Sequence, residues 1–463
     1  MSNTENRPET YAEKVDRIAA ELLDVLRDVL GPERRLPKPR ASCARYGDHS
    51  VTVRDDGLLA AFDARLPFEL TGGQQRVCAE ILADMASERP MQRLLQGEVG
   101  SGKTVVALRA MLAAVDAGRQ GILLAPTEVL AAQHAATIVS FLGDLASGGT
   151  LGAAEHATGV ELLTGSMPGA RRREALDRIA SGEAGIVVGT HALLGDDIRF
   201  AGSGLVVIDE QHRFGVEQRA RLTAGAALRP HELVLTATPI PRSVAMTVFG
   251  DLEVSTLRSL PGGRADVQTT AVLTAEHPGW LGRVWARLRE EVSAGRQAFV
   301  VCPRIGGPGQ GSGDRGGEEM IGAEEMHARL AAGELSGLRL GLLHGRQSAE
   351  LKAATMEDFA AGELDVLVST TIIEVGLDVP NASAMVVLDA DRFGVSQLHQ
   401  LRGRIGRGAH PGICLLVSAV DPRTPAAQRL RDVAATRDGF ALAELDLAQR
   451  REGDVLGAEQ SGG

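Results

Sequence analysis

The sequence has 463 residues, 44% of them hydrophobic and 24% charged, and its 49 Lys and Arg against 60 Asp and Glu give a formal net charge of −11. This length predicts two or three domains, and the composition excludes a chain that is disordered throughout. We find no apolar run long enough to suggest a membrane span and no signal-peptide core after the polar first residues, so a cytoplasmic location is expected. The acidic balance excludes a polybasic coat, although a local basic track can still bind nucleic acid.

Cysteines and aromatic residues narrow the chemistry further. Cys43, Cys78, Cys302 and Cys414 lie too far apart in sequence for the close pairs of zinc sites or redox dithiols, so we interpret all four as buried or unpaired thiols. Aromatic residues make up only 3% of the chain, which supplies few rings for stacking on bases. Any contact with nucleic acid is therefore expected on its phosphates.

The predicted elements begin with one amphipathic helix. Between residues 11 and 30 the apolar residues recur at helical spacing, and Gly31 and Pro32 end the pattern. The basic, proline-rich run at 33–40 that follows is typical of a solvated linker. Residues 1–65 are thus predicted to form a helical segment and a linker.

After Phe68, short strand-like runs alternate with helical stretches, which predicts parallel sheets covered by helices. A first series of strands is predicted at 121–124, 185–188, 205–208 and 233–235, and a second at 298–301, 338–342, 366–369, 384–388 and 412–417. Proline and glycine residues at 260–263, which interrupt helices and strands, separate the two series. A glycine-rich run at 306–313 predicts a loop. The fold class is therefore α/β, with tandem lobes at 66–260 and 261–430 and a last segment at 431–463.

A glycine-rich run at residues 97–104, Gly-Glu-Val-Gly-Ser-Gly-Lys-Thr, has the spacing of a phosphate-binding loop and precedes a helical stretch at 105–115. Glycines let backbone N–H groups converge on phosphate oxygens, and the start of the helix adds a favourable dipole. Lys103 would reach the β- and γ-phosphates, and Thr104 would bind Mg²⁺. A turn that only begins a helix is the alternative for this run by itself. The predicted nucleotide contacts are Gly97, Gly100, Ser101, Gly102, Lys103 and Thr104.

The apolar strand at 205–208 delivers Asp209 and Glu210 at its carboxyl end, the edge at which open α/β sheets bind ligands. Neighbouring side chains on a strand point to opposite sides, so one carboxylate can hold a metal while the other acts as a base. Asp209 suits Mg²⁺, and Glu210 suits the attacking water. A solvated strand end is the alternative for such a pair, but the preceding phosphate loop favours the catalytic interpretation.

Near the carboxyl terminus, the run Gln-Leu-Arg-Gly-Arg-Ile-Gly-Arg begins at Gln400. The spacing of Arg404 and Arg407 predicts that both lie on one face of a helix, where they can stabilise a phosphate during its transfer. A basic surface helix is the alternative for the run considered by itself. Because the run belongs to the second series of elements, we expect the nucleotide to lie between the lobes and its hydrolysis to change their relative position.

These runs resemble superfamily 2 helicases, and among them the RecG family, from about residue 66 to the end of the chain. The resemblance is carried by Phe68 with the run at 70–74, and by the runs at 97–104, 125–128, 189–191, 209–215, 236–242, 369–380 and 400–407. It implies two tandem RecA-like lobes, a short helical amino-terminal segment and a carboxyl-terminal helical hairpin. It also implies an ATP hydrolase coupled to DNA translocation, with ATP and Mg²⁺ as cofactors and a role in recombination and repair.

The resemblance assigns roles residue by residue. The hydrolytic set would be Lys103, Asp209, Glu210, Gln400, Arg404 and Arg407. Phe68 and Gln74 would contact adenine, and Gly376 and Asp378 would sense the nucleotide. Phosphates of duplex or branched DNA would be contacted, with little sequence specificity, by Thr127, Thr190, Thr236, Thr370 and Thr371. A monomer is expected.

The last segment, from Gly439 to Gly462, resembles the translocation motif of RecG-type and transcription-coupled-repair motors. Only about 65 residues precede the first lobe, which is too few for the amino-terminal wedge domain of RecG proteins. We therefore expect the lobes and the translocation motif without a wedge, and Arg451 and Glu452 stand where many relatives have Gly-Pro. Two alternatives stay open: a translocase of the transcription-repair-coupling type, or a shortened remnant that binds nucleotide or DNA without catalysis.

Overall fold

In the computed structural model, the described residues are 50–445, except for 53, 149–155, 196, 210–228, 238–251, 259–265, 307–321, 371–378 and 409. The predicted helix at 11–30, the proline and glycine residues at 260–263, most of the glycine-rich run at 306–313 and the segment after residue 445 lie outside this part of the chain. The bounds of the predicted domains stay predictions.

The first lobe is built on a parallel sheet with the strand order β3-β4-β2-β5-β6-β1-β7. Its strands are β1 (Gln92–Gly97), β2 (Gln120–Leu124), β3 (Gly159–Leu163), β4 (Ala184–Gly189), β5 (Ser203–Asp209), β6 (His231–Thr236) and β7 (Glu253–Leu257). Its described helices are α1 (Leu58–Asp63), α2 (Gly72–Met85), α3 (Lys103–Asp116), α4 (Glu128–Leu142) and α5 (Gly169–Ser181), with short 3₁₀ turns at Gly143–Ala146 and His191–Leu194.

The second lobe is built on a parallel sheet with the order β10-β11-β9-β12-β13-β8. Its strands are β8 (Val267–Leu273), β9 (Gln297–Val301), β10 (Leu340–Leu343), β11 (Val366–Ser369), β12 (Ala382–Val387) and β13 (Gly412–Ser418). Its described helices are α6 (Trp280–Ser293), α7 (Ala323–Ala332), α8 (Ala349–Ala360), α9 (Val395–Arg402) and α10 (Pro425–Ala435), with a 3₁₀ turn at Ala390–Arg392.

Helices cover both faces of each sheet, which is why the central strands are apolar throughout rather than alternating. Along β5, Leu205 and Val207 belong to the core beneath α1 to α4, whereas Val206 belongs to the core beneath α5. In the second lobe, Phe299 and Val301 of β9 lie in one core and their neighbours along the strand lie in the other. The strands are therefore buried, and only their ends are available for binding.

The predicted strands are all present, and the α/β fold class with parallel sheets is confirmed. Four strands were missed: β1, β3, β7 and β8. Strands β3, β7 and β8 are sheet edges, where burial of one face leaves a mixed sequence. Strand β1 has only two large apolar residues, Leu94 and Leu95, and its buried Arg93 is satisfied by Asp84 at 2.8 Å and by the hydroxyl of Ser255 at 2.6 Å.

One helical segment, Glu128–Ala146, is long and apolar enough to span a membrane by length and composition alone, contrary to our expectation from the sequence. It comprises α4 and the following 3₁₀ turn. Its Leu130, Ile138 and Leu142 are part of the core of the first lobe. Helices in the cores of globular proteins pass the same test, and 33% of the apolar window of this segment is buried.

The cysteines within the described residues agree with the sequence interpretation. Cys78, Cys302 and Cys414 are unpaired and buried, whereas Cys43 lies outside the described residues. Burial raises the pKa of both Cys302 and Cys414 to about 12. These thiols therefore stay protonated and behave as small apolar side chains.

Candidate functional site

The glycine-rich run connects the carboxyl end of β1 to the start of α3, as a phosphate-binding loop does. Gly100 and Gly102 have φ angles of 82° and 83°, in the left-handed region that favours glycine. A Cβ atom on Gly102 would also lie 2.2 Å from Nε2 of Gln74. The buried hydroxyl of Ser101 has no hydrogen-bond partner among the described residues, as expected of a group that can bind a ligand.

Lys103 is the first residue of α3, and its ammonium group folds back over this loop. Its Nζ donates to the carbonyl oxygen of Gly97 at 2.7 Å and to that of Glu98 at 2.9 Å. Thr104 follows it in the first turn of the helix and is half-buried. The loop therefore offers backbone donors, an ammonium and a hydroxyl at one point, which suits a nucleotide phosphate and its Mg²⁺.

Gln74 holds the loop from outside. It forms a capping box with Thr71 at the start of α2, and its Nε2 donates to the carbonyl oxygen of Ser101 at 3.0 Å. Phe68 is 44% exposed and touches Phe141 edge to face, with ring centroids 6.2 Å apart. The structure thus shows Gln74 as a support of the phosphate loop, and the adenine contacts of Phe68 and Gln74 stay predictions.

Asp209 lies at the carboxyl end of β5 and contacts His134 of α4, with 2.9 Å between its Oδ2 and Nε2 of the histidine. Burial by itself would raise the pKa of Asp209. The hydrogen bond from His134 and the electrostatic effects of His134, Lys103 and Arg404 outweigh burial and hold the pKa of this carboxyl below its ordinary value. Asp209 is therefore ionised at neutral pH and can serve as a metal ligand.

His134 was missed by the sequence analysis. The signal for it was a polar residue on the apolar stripe of α4, between Leu130 and Ile138 at spacings of four. From the sequence alone, such a histidine is interpreted as an ordinary core residue, because the strand that packs against it cannot be identified. Only the packing of α4 on the sheet brings it to Asp209.

The prediction that Arg404 and Arg407 share one face of a helix is wrong. Helix α9 ends at Arg402, and both arginines follow it in an irregular turn. Gly406, with a φ angle of 70°, turns the chain between them. This turn of the second lobe nevertheless lies against the phosphate loop of the first, because a Cβ atom on Gly403 would lie 3.0 Å from Cβ of Val99. Arg407 donates from Nε to the carbonyl oxygen of Gly403 at 3.2 Å.

The helix before this turn carries a buried polar network. Gln400 and Arg402 are 7% and 6% exposed. Arg402 donates to the carbonyl oxygens of Val433 at 3.0 Å and Thr436 at 2.7 Å, and it lies 2.8 Å from Nδ1 of His399. The sequence analysis gave Arg402 no role, yet it fixes α9 to the end of α10. Gln400 is positioned by the same helix, and its catalytic role stays a prediction.

The predicted DNA contacts lie at carboxyl ends of strands. The hydroxyl of Thr127 accepts from the backbone N–H of Leu130 as the N-cap of α4, and that of Thr190 accepts from Ala192 N–H. Thr236 and Thr370 end β6 and follow β11, and both are buried. The structure places these side chains along the same edges of the sheets as the phosphate loop. Their contacts with DNA stay predictions.

Several predicted site residues cannot be placed. Glu210, Thr371, Gly376 and Asp378 lie outside the described residues. Within the part of the chain that the structure describes, the site brings together Lys103, Asp209 and Arg404, from the two lobes. Their roles in hydrolysis are taken up as a proposal below.

Comparison with known proteins agrees with this arrangement. Residues 71–247 match the DEAD/DEAH box helicase family, and residues 286–409 match the helicase conserved C-terminal domain. The ATP-dependent DNA helicase RecG of Mycobacterium tuberculosis is 59% identical over 415 residues, which cover 89% of this chain and 56% of the relative. In its two lobes, this chain is similar to the RecG helicases.

Other RecG proteins extend the match. RecG of Bacillus subtilis is 45% identical over 405 residues, which cover 87% of this chain and 56% of the relative. A structure of RecG bound to a three-way DNA junction superposes with a TM-score of 0.70 at 38% identity, over 94% of this chain and 53% of that one. The chain thus spans little more than half the length of these RecG relatives. These matches confirm the tandem RecA-like fold and do not favour the transcription-repair-coupling alternative.

Proposed function

We propose that this chain is an ATP-driven DNA helicase and duplex translocase of RecG type, which remodels branched DNA in recombination and repair. The observation that carries the proposal is the meeting of two lobes at one nucleotide site. The phosphate loop and Asp209 come from the first lobe, and the turn that carries Arg404 comes from the second, where a Cβ atom on Gly403 would lie 3.0 Å from Cβ of Val99 in that loop. A nucleotide bound there would join the lobes, and its hydrolysis would release them.

The loop residues suit Mg²⁺–ATP. Backbone N–H groups of 100–104 and the ammonium of Lys103 would hold the phosphates, and Thr104 with Asp209 would hold the metal. Among the described residues, no group of three or more His, Cys, Asp and Glu side chains could hold a metal by itself. This fits Mg²⁺, which proteins commonly bind through one or two carboxylates together with substrate phosphates.

The remaining roles follow from position. Glu210 would accept a proton from the attacking water, since it follows Asp209 at the strand end. Arg404 and Arg407, together with Gln400, would stabilise the charge that develops on the transferred phosphate, and Mg²⁺ held by Thr104 and Asp209 would supply further positive charge there. Phe68 and Gln74 would contact the adenine, and Gly376 and Asp378 would respond to the nucleotide from the second lobe.

DNA would be contacted along the same carboxyl edges of the sheets, through Thr127, Thr190, Thr236, Thr370, Thr371 and neighbouring backbone N–H groups. Phosphate contacts of this kind position a strand without reading its bases. A cytoplasmic monomer that binds duplex or branched DNA with little sequence preference is the form we propose. The solved RecG complex with a three-way DNA junction supports this class of partner.

The test is steady-state ATP turnover without DNA, with single strands, with linear duplex and with a synthetic fork. We expect duplex or fork to stimulate turnover, and Lys103→Ala to reduce it at least about 100-fold because the phosphates lose their charged partner. Lys352→Ala is the matched control. Its Nζ also bonds a backbone carbonyl, that of Gly345 at 2.9 Å, but it lies on the second lobe. The proposal fails if DNA does not stimulate turnover or if both lysine variants behave alike.

A further inference from the structure

Two side chains of the first lobe reach the segment that follows α10. Strands β1 and β7 are neighbours in the sheet, with Gly97 opposite Leu257 in register. The next residues, Glu98 and Arg258, therefore leave the sheet side by side at its carboxyl edge. Both belong to the lobe that carries the phosphate loop.

These two residues contact consecutive residues of the segment that follows α10. Oε1 of Glu98 accepts a hydrogen bond from the backbone N–H of Gly439 at 2.9 Å. The guanidinium carbon of Arg258 lies 5.2 Å from the ring centroid of Phe440, within the range of a cation–π interaction. One contact is to the main chain and the other to a side chain, so together they fix both the position and the direction of this segment.

The second lobe holds the same point from the other side. A Cβ atom on Gly439 would lie 2.5 Å from Nε2 of His399, so only glycine brings the backbone N–H this close. His399 is itself held by Arg402, whose guanidinium bonds the carbonyl oxygens that close α10. The N–H of Gly439 is thereby directed at Glu98, and the contacts of His399 and Arg402 hold it in this orientation.

Glu98 also belongs to the phosphate loop. Its carbonyl oxygen accepts from Nζ of Lys103 at 2.9 Å, while its carboxylate holds Gly439. A phosphate that draws the ammonium of Lys103 toward itself would remove this restraint on the main chain of Glu98. The same residue thus connects the ammonium that meets the nucleotide with the segment that follows the second lobe.

We propose that Glu98 and Arg258 form a strand-end clamp on Gly439–Phe440, and that through Glu98 the nucleotide sets the position of the segment beginning at Gly439. The clamp goes beyond the proposed function but rests on it, because it assumes that residues 97–104 bind phosphates. Glu98 and Arg258 are positioning residues in this scheme. They transmit the state of the phosphate loop without touching the reacting atoms.

The first test measures the contact itself by amide hydrogen exchange at Gly439 in the full chain, with and without Mg²⁺ and a non-hydrolysable ATP analogue. We expect Glu98→Ala to speed this exchange about tenfold, because a hydrogen bond to a charged acceptor is lost. Arg258→Ala should speed it about two- to fivefold. Glu98→Gln keeps an acceptor oxygen and should stay within about twofold of the unchanged chain.

Arg437→Ala is the matched control. Arg437 is two residues from Gly439, and its exposed ion pair with Asp266 lies 2.7 Å apart within the second lobe. Exchange at Gly439 should be unaffected by this change. We further expect the ATP analogue to change the exchange rate at Gly439 in the unchanged chain, and this response to disappear in Glu98→Ala. An unchanged exchange rate in both Glu98→Ala and Arg258→Ala, or an intact nucleotide response in Glu98→Ala, overturns the clamp.

The second test measures base pairs of duplex displaced per ATP hydrolysed. Arg258→Ala should leave DNA-free ATP turnover unchanged while lowering this ratio, because the segment is no longer held to the nucleotide lobe. A purely structural role would lower turnover and displacement together and leave the ratio unchanged. If the unchanged chain shows no DNA-stimulated turnover, the proposed function fails, and the exchange rates still decide whether the clamp exists.

Discussion

The two lobes repeat one sheet but not one chemistry. Without its edge strand β7, the first sheet reads β3-β4-β2-β5-β6-β1, and the second reads β10-β11-β9-β12-β13-β8, so that β1 corresponds to β8. After β1 the chain enters a glycine-rich loop and then α3. After β8 it forms a turn in which Thr274 bonds the carbonyl oxygen of Ser418 and the ring of His277 stacks on Trp280 at 4.0 Å.

This difference shows that the sheet determines where functional groups can lie, whereas the loops between strands and helices supply the groups themselves. The turn after β8 lacks the left-handed glycines that open the loop after β1, so its backbone N–H groups do not converge on a phosphate. The second lobe contributes instead the turn after α9, which lies against the phosphate loop and carries Arg404. In the proposed function, one lobe would hold the nucleotide and the other would respond to it.

Replacing Arg404 is expected to have the largest effect on this difference between the lobes. We expect Arg404→Ala to lower ATP turnover about 10³-fold with nucleotide binding retained, because a transition-state charge loses its partner from the second lobe. Arg339→Ala is the matched control, since Arg339 forms an exposed ion pair with Asp365 at 2.6 Å in the same lobe. Single-turnover rates and nucleotide titrations separate the two effects. Equal turnover in both variants would assign the chemistry to the first lobe alone.

His134 sharpens the comparison within the first lobe. His134→Ala should weaken the apparent Mg²⁺ affinity about 10- to 100-fold, because the metal-binding carboxylate of Asp209 loses the hydrogen bond that orients it. The Mg²⁺ concentration for half-maximal ATP turnover measures this change. Gln133→Ala, one residue away on α4, should leave it unchanged. Half-saturation at the same Mg²⁺ concentration in both variants would show that the contact is only structural.

The sequence predicted what local patterns encode. The central strands were found because continuous apolar runs mark buried parallel strands, and the phosphate loop was found because left-handed backbone needs glycines at fixed spacing. The edge strands β3, β7 and β8 were missed because they are only partly buried, and a partly buried strand has no continuous apolar run. The error at Arg404 and Arg407 came from extending helical spacing through Gly403, where α9 has already ended.

Contacts between residues far apart in the chain could not be predicted from the sequence. His134 meets Asp209 across 75 positions, and Glu98 meets Gly439 across 341. Neither pair has a spacing that periodicity can detect, because strand order alone brings them together. Motif resemblance predicted which residues contact the nucleotide, but it gave no sign of those that hold these residues in place.

Glu291 is a buried carboxylate of the second lobe. It tests whether such a group stabilises the fold, in contrast to Asp209, which we propose takes part in ATP hydrolysis. It lies 2.6 Å from Nη2 of Arg287, 2.6 Å from Nε of Arg296 and 2.6 Å from the hydroxyl of Ser383. Burial would raise the pKa of Glu291, but the hydrogen bonds from Arg296 and Ser383 and the arginine charges lower it below 4.5.

Glu291→Gln should lower the free energy of unfolding by about 1–3 kcal/mol at pH 7, because two arginines lose their charged partner, and should leave ATP turnover unchanged. Since the pKa is lower in the folded chain than in the unfolded one, this stabilisation is complete above about pH 4.5 and is lost as the pH falls through the folded value. Denaturant unfolding between pH 7 and pH 3 measures the convergence of the two proteins. The adjacent Glu290→Gln removes only two exposed ion pairs, with Arg283 and Arg287, and should unfold like the original protein. A pH-independent difference for Glu291→Gln would mean that packing, rather than charge, makes this residue stabilising.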